Sequence, residues 1–452
     1  METDKTPPAL LSRLRPMAKR CIVILLDGLG DRAYPELGQR TPLQAAATPT
    51  LDRLAALGVN GLFHAGRLGQ ALPSENAHFA MFGYRPEEFP GRGLLEALGA
   101  GLEIASDEIA LLAHFVHAEE RDQGLVLTAD RPAATTAELE VLIESIARHD
   151  CDGITCRYLP TKGPDGIVTL RGAVSPRITD SDPLVAGESL LAVVPWREAG
   201  ADPAARQTAR ALTSYLGWCY RTLSAQPVNL ARRSRGLAPL NGLVTQRPGH
   251  WLSVEPFAER WGLKGLSIAS GLVYWGLARF LGLDVRQVKD SGEVGRDLAE
   301  RLRQALAIAD AEFIHVHTKA PDAAAHTKEP LAKVAAIEAL DRGLASVADE
   351  LLAAPETLLV VTADHSTPSS GPQVHSGEPV PFLMVGPGQR RDLVSRFDEV
   401  HCAGGGLGVV RGGDFMYLIL NGLDRAKLQG LRDAPEDRPY WPAPRTPFRL
   451  PT

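Results

Sequence analysis

Cysteine is scarce and badly spaced for any framework. The five are Cys21, Cys151, Cys156, Cys219 and Cys402, an odd number with no C-x-x-C pair. That argues against a disulfide scaffold and against a zinc ribbon, and makes a reducing cytoplasm the simplest compartment. Long apolar runs are also missing. Met1–Arg20 holds no apolar core of signal-peptide length, and no run approaches the ~18 residues needed to cross a bilayer. A soluble, non-exported protein with no membrane partner is expected. There is no excess of basic charge: 48 Lys and Arg face 54 Asp and Glu, for a formal charge of −6. No nucleic-acid partner is therefore expected, and no like-charge block suggests an interaction tail. Internal repeats are absent too.

What is present is a chain of 452 residues, 44% hydrophobic, long enough for more than one domain. Short apolar runs read as buried strands of a parallel sheet: Cys21 to Gly28, Phe313 to Thr318, Leu358 to His365 and Pro381 to Gly386. Helical patterns lie between them, the clearest from Leu331 to about Leu352. Another starts at Thr48-Pro49, with Thr as cap and Pro at the first helical position. Alternating strands and helices predict an α/β doubly wound core. From about 105 to 225 the pattern changes to strand-like LLAHFVHA and GIVTLRG with a helix from Thr136 to Arg148. This predicts a smaller α+β domain inserted into a core formed by 1–104 and 226–452. The last twenty residues, from Asp433, carry six prolines. They predict an extended tail lying on the surface or across a neighbour.

In a doubly wound core, ligands bind beyond the carboxyl ends of the strands. Asp27 ends the first strand, a segment reaching Asp322 follows the second, and Asp364-His365 ends the third. Asp322 and His326 stand four apart, a spacing that puts both on one face of a helical turn. His375 follows ten residues after His365. Each position has a plainer reading as a turn or solvated residue. Together they offer three carboxylates and three imidazoles, a donor set suited to Mn²⁺ or Zn²⁺, with Mg²⁺ and Co²⁺ also compatible. Ser74 follows Pro73 at the start of a helical run. Its hydroxyl reads either as an ordinary helix cap or as a group held where backbone N–H donors can receive a phosphate. A divalent metal beside it would make its alkoxide available as a nucleophile.

At these residues the sequence resembles the cofactor-independent phosphoglycerate mutases, most closely their archaeal-type branch within the alkaline phosphatase superfamily. The marks are VILLDGLGDR, TPLQAAATPTLDRLAALGVNGL, PSENAHFAMFGY, GRGLLEALGAGLEI, ITDSDP, VTADHSTP, VHSGEPVPF and RFDEVHCAGGGLGVVRGGDFM, spread over nearly the whole chain after about Arg20. The resemblance implies an alkaline-phosphatase-like core and two divalent metal ions. Asp322, His326 and His375 would hold one, and Asp27, Ser74, Asp364 and His365 the other. It further implies that Ser74 becomes phosphorylated while 2-phosphoglycerate and 3-phosphoglycerate interconvert without 2,3-bisphosphoglycerate.

The expected partner is a small phosphorylated hydroxy acid, for a monomer or a homo-oligomer. Closure of the inserted domain would keep water out, and arginines would grip carboxylate and phosphate through paired donors. Arg131, Arg157, Arg171, Arg177, Arg232, Arg233 and Arg247 are the candidates, with Asp180 or Asp182 as a base. The sequence departs from the family at Ser74-Glu75-Asn76-Ala77-His78, where Ser-Asp-Thr-Ala-His is usual. It departs again at Ala325 and Lys328, and in the inserted domain. The same metal site would also serve a phosphatase or phosphonate hydrolase, or phosphoryl transfer to another small hydroxy acid as in a homoserine-kinase-like reaction.

Overall fold

The computed structural model describes residues 17–122, 124–444 and 446–450. Met1–Pro16, most of the segment that lacks a signal-peptide core, lies outside the described residues, as do three positions of the tail region, 445, 451 and 452. The chain forms two compact units.

The first unit comprises 1–89, 254–271 and 281–452. Its sheet has eight strands, which in chain order are β1 (Arg20–Leu26), β2 (Val59–His64), β9 (Gly265–Ala269), β10 (Asp284–Gln287), β11 (Phe313–Thr318), β12 (Thr357–Thr362), β13 (Val380–Val385) and β14 (Gly408–Arg411). Across the sheet they run β10-β9-β11-β1-β12-β13-β2-β14. β1, β2, β11, β12 and β13 are buried along almost their whole length, β1 and β12 as apolar runs covered on both faces and β2 and β11 with Asn60, His315 and His317 buried among apolar residues. The sheet is mixed, however: β13 pairs antiparallel with both β12 and β2. A continuous apolar run carries no record of strand direction, so the expected parallel Pro381 strand is corrected here. Register matters more for the site. Leu25 pairs with His317 and with Thr362. This sets Asp27, Lys319 and Asp364 at the same end of three adjacent strands.

Two local expectations change. The helix read from Leu331 to Leu352 is two helices, Pro330–Ala345 and Ala348–Ala353, broken at Ser346-Val347. Thr48 does precede the Pro49–Leu57 helix, but its side chain makes no capping bond. The buried Asp341 carboxylate caps that helix instead, accepting from Thr50 N–H at 3.2 Å and Leu51 N–H at 2.8 Å. The proline-rich tail lies along this unit. Tyr440 is buried, its hydroxyl donating to Glu259 O, and Trp441 N–H donates to Arg425 O.

The second unit comprises 90–253 and 272–280. Its antiparallel sheet contains β3 (Glu108–Arg121), β4 (Gly124–Asp130), β5 (Arg148–Cys151), β6 (Ile154–Lys162) and β7 (Asp165–Arg171) in the order β4-β3-β7-β6-β5, with β8 (Gly242–His250) also paired to β3. The unit reaches beyond the 105–225 limits read from the sequence because β8 belongs to its sheet and the helices Arg92–Gly99 and Leu272–Phe280 pack together within it. The Thr136–Ile146 helix carries a capping box from Thr135 and Glu138 and stops short of Arg148, which opens β5. It and the Pro203–Ala225 helix cover the sheet with Leu142, Ile146, Leu212 and Tyr215. Among the described residues no helix is long and apolar enough to cross a membrane.

Candidate metal centre

Asp27 leaves β1, and its backbone carbonyl accepts from Asp322 N–H at 3.0 Å. This ties the end of β1 to the Ala320–His326 helix that follows β11. Gly28 comes next with φ +66°, and a Cβ there would lie 2.5 Å from Thr367 Oγ1 and 2.7 Å from Asp322 Cβ. Only glycine lets the three strand ends close this tightly. Its N–H donates to Asp364 Oδ1 at 3.0 Å, as does the N–H of His365.

Ser74 is the first residue of the Ser74–Met81 helix, and Pro73 occupies the cap position. The cap reading of Ser74 therefore fails on geometry, because its side chain is not in a position to cap. It is 4% exposed, and its Oγ lies 2.9 Å from His365 Nε2. The same nitrogen is 3.2 Å from Asp364 Oδ2 and 3.6 Å from Asp27 Oδ1. Asp322 forms the other side, with His326 Nε2 3.2 Å from Oδ2 and His375 Nε2 3.5 Å from Oδ1. The His365 and His375 rings stack with centroids 3.8 Å apart. All seven residues expected at the site thus come together.

The donor chemistry fits cations. His375 Nδ1 is 2.8 Å from the Leu72 carbonyl, which can only accept. In the neutral ring the Nε2 lone pair then faces a carboxylate oxygen, an arrangement that needs a positive charge between them. Asp364 Oδ2, fully buried, has besides His365 only the long 3.4 Å approach of His78 Nδ1 among the described residues, a nitrogen whose nearer partner is the Ser74 carbonyl. Ligand atoms within 4.8 Å of one another form two groups: Asp322, His365 and His375, and Asp27, Asp364 and His365. His365 stands in both, whereas the sequence reading gave it to one; His326 lies beside the first group on the exposed side.

Burial opposes ionisation of Asp27, but Lys319 and the His317 hydrogen bond outweigh it and hold the carboxyl well below the usual carboxylate range. Asp322 is likewise held low against burial, by its bonds to His326 and His375 and by Lys319. Burial keeps His365 below its ordinary value. For His375 the Asp322 hydrogen bond prevails over burial and raises it. A divalent ion would take the place of that proton.

Sequence reading missed several supports. His317 Nε2 lies 2.9 Å from Asp27 Oδ2, and Lys319 Nζ 3.1 Å from Asp322 Oδ2. His78 Nδ1 lies 2.8 Å from Ser74 O, which as a carbonyl must receive its proton. A signal existed on β11, where His315 and His317 occupy alternate positions of a buried strand just before Asp322. Lys328, a departure from the family pattern, has φ +62° and donates to Pro368 O at 2.9 Å and Gln373 O at 2.7 Å. Its charge is spent on strapping the loop that follows His365.

The candidate arginines all lie in the second unit and are not gathered in one place. Arg131 and Arg247 line a cavity of about 330 Å³ with Arg92, His114, Lys162 and Gln246. Both have positive φ, +44° and +50°, a strained conformation for a long side chain. Arg232 is buried and bonded to Ala133 O, Ala238 O and Glu138, which makes it a tie within its own unit. Arg171 pairs with Asp107 and Arg177 donates to Glu198 O, both in exposed positions. Arg233 borders a different hollow, beside His117 and Glu119, and Arg157 is exposed on β6. Asp180 accepts from Arg247 N–H at 2.7 Å, and Asp182 accepts from Gln246 and lies 3.7 Å from His114.

A model of the metalloenzyme superfamily matches residues 19–422. The 2,3-bisphosphoglycerate-independent phosphoglycerate mutase 2 of Methanocaldococcus jannaschii is 40% identical over 94% of this chain and 97% of its own length. The corresponding mutase of Pyrococcus abyssi is 32% identical over 92% of this chain and 100% of its own. Among solved structures, a Pyrococcus horikoshii protein matches with a TM-score of 0.73 at 28% identity, over 92% of this chain and all of that one. The cofactor-independent phosphoglycerate mutase of Thermoplasma acidophilum matches with a TM-score of 0.61 at 28% identity, over 90% and 99%. The chain belongs to the metalloenzyme superfamily and, within it, to the family of 2,3-bisphosphoglycerate-independent phosphoglycerate mutases.

Proposed function

We propose that this protein interconverts 2-phosphoglycerate and 3-phosphoglycerate through a phosphorylated Ser74. The observation that carries the reading is the Ser74 hydroxyl: buried, free of any capping role and 2.9 Å from Nε2 of His365, the residue that stands in both groups of potential ligands. Family membership supports the substrate.

We further propose two divalent ions, Mn²⁺ foremost, with Zn²⁺, Mg²⁺ or Co²⁺ able to serve. Asp322, His326 and His375 would hold one, and Asp27, Ser74, Asp364 and His365 the other. When bound, such ions supply the positive charge that lowers the pKa of a hydroxyl and neutralises phosphoryl oxygens. The chain's own residues do the rest. His365 Nε2, 2.9 Å from Oγ, sets the place of the Ser74 hydroxyl beside Asp27 and Asp364. Oγ gives up its proton and attacks phosphorus, the bond from phosphorus to the glycerate oxygen breaks, that oxygen takes up a proton to become a hydroxyl, and the phosphoryl group rests on Ser74. The other glycerate hydroxyl then takes it back, so no free phosphate leaves. His317 and Lys319 hold Asp27 and Asp322 ionised throughout. Five thiols, none of them paired, favour the cytoplasm as the place of work.

The test is phosphorus NMR of 3-phosphoglycerate with the Mn²⁺-loaded enzyme and no added bisphosphoglycerate. A growing 2-phosphoglycerate signal with little inorganic phosphate is expected, stopped by a chelator and restored by Mn²⁺. Mainly inorganic phosphate would mean a phosphatase, and inertness toward 3-phosphoglycerate would end the mutase reading.

For recognition we propose the cavity lined by Arg131 and Arg247, the two candidates held in strained backbone. Arg131→Ala is expected to raise KM for 3-phosphoglycerate about tenfold or more, the worth of a charge-assisted hydrogen bond. The value of kcat should change less. An unaltered KM in steady-state assays would remove Arg131 from substrate recognition.

A further inference from the structure

Thr367, three residues beyond Asp364, is wholly buried and carries no chemistry of its own. Its Oγ1 nevertheless stands between two of the site's central side chains, 2.8 Å from Asp322 Oδ1 and 3.1 Å from His365 Nδ1. A threonine hydroxyl has one proton to give. Asp322 is a carboxylate with the Lys319 ammonium 3.1 Å from its other oxygen, so it can only accept. The hydroxyl proton therefore goes to Asp322. Toward His365 the same oxygen can then only receive, and Nδ1 must carry the proton of the neutral ring.

We infer that Thr367 is a positioning residue that fixes the tautomer of His365. With Nδ1 protonated, Nε2 is left bare. That is the atom placed 2.9 Å from Ser74 Oγ, 3.2 Å from Asp364 Oδ2 and 3.6 Å from Asp27 Oδ1. A bare nitrogen there can accept the Ser74 hydrogen bond or hold a metal ion, and a protonated one can do neither. His365 belongs to both groups of potential ligands, so one hydroxyl conditions both. The same hydroxyl fixes which oxygen of Asp322 is turned inward.

Thr367 is itself held from behind. Its N–H donates to Gly30 O at 2.9 Å, and its carbonyl accepts from the buried Lys333 ammonium at 2.9 Å. Lys333 also donates to Gly30 O at 2.8 Å. The loops after β1 and β12 are thereby clamped together under the hydroxyl. Gly28 completes the fit, since any side chain there would strike Thr367 Oγ1.

The inference rests on the proposed site, and its test separates the two. The full chain, stripped of metal and labelled with ¹⁵N-histidine, is examined by long-range proton–nitrogen correlation, with His365 identified by its disappearance in His365→Asn. The wild-type ring should show the Nδ1–H pattern, and an Nε2–H pattern would overturn the inference whether or not any variant folds. Thr367→Val, nearly the same shape without the hydroxyl, should lose that preference. Its Mn²⁺ affinity by calorimetry should fall about 10- to 100-fold, the usual cost of losing such a support. Thr367→Ser should keep both properties. A Thr367→Val protein with unchanged tautomer and affinity, or a Thr367→Ser protein as damaged as it, would overturn the assignment. A failed mutase assay with tautomer and metal affinity intact would count against the activity alone.

Discussion

Replacing Ser74 with alanine is expected to reduce mutase turnover by roughly 10⁴-fold or more, the scale seen when a nucleophile is deleted. The folded protein and its metal affinity should largely survive. Ser74 makes no capping bond, so the Ser74–Met81 helix does not need its hydroxyl. Asp27, Asp364, His365 and the Asp322 group are anchored by their own strands and backbone bonds. The hydroxyls that follow His365 are engaged elsewhere. Ser366 Oγ donates to Glu378 O, Thr367 Oγ1 to Asp322 and Ser369 Oγ to Asp31. Three measurements check the prediction together: kcat, Mn²⁺ binding, and the mass of the protein quenched during turnover. The wild type should gain a phosphoryl group and the variant should not. Turnover within tenfold of wild type would remove Ser74 from the mechanism. Lost metal binding would instead make it chiefly a ligand.

The second large effect is one of stability. Lys333 and Asp31 are both without solvent exposure at their side chains and lie 3.1 Å apart. Burial lowers the affinity of Lys333 for its proton, and Asp31 counteracts this. Taking away one partner of a buried ion pair typically costs about 3–5 kcal/mol, because the other is left charged and dry. Lys333→Met should therefore lower the calorimetric unfolding temperature markedly. Asp31→Asn combined with Lys333→Met should recover part of the loss, since it removes the stranded charge. Recovery will be partial, because Lys333 also serves the carbonyls of Gly30 and Thr367, which a thioether cannot. An unchanged endotherm in Lys333→Met would show that the pair adds nothing net, an outcome some buried pairs do give when replaced by apolar groups.

Much of the centre was legible in the chain. Apolar runs ending in Asp27 and Asp364-His365 placed these residues at strand ends, because a buried strand must be apolar until it leaves the sheet. Pro73 placed Ser74 at a helix start, because proline suits the entry to a helix and not its interior. Lys333 could also have been noticed. It shares a helical face with Ile337, Leu340 and Leu344, all buried, where a charge requires a partner.

Other features needed the tertiary structure. Whether Ser74 caps its helix or faces the site depends on a one-residue offset that local propensity does not resolve. The direction of β13 depends on its neighbours in the sheet, not on its own apolar residues. Arginines look alike in sequence, but Arg131 lines a cavity beside the carboxylates of Asp130 and Asp165, while Arg232 is tied to backbone carbonyls and Glu138. Thr367 stood within the VTADHSTP stretch with no role assigned, since a hydroxyl becomes a determinant only when Asp322, forty-five residues earlier, and His365, two residues earlier, are brought within hydrogen-bond reach of it. Burial and helix entry are written in short stretches of sequence and could be read there. The direction of a hydrogen bond between distant residues is a property of the packed molecule, because it depends on which groups are left to donate.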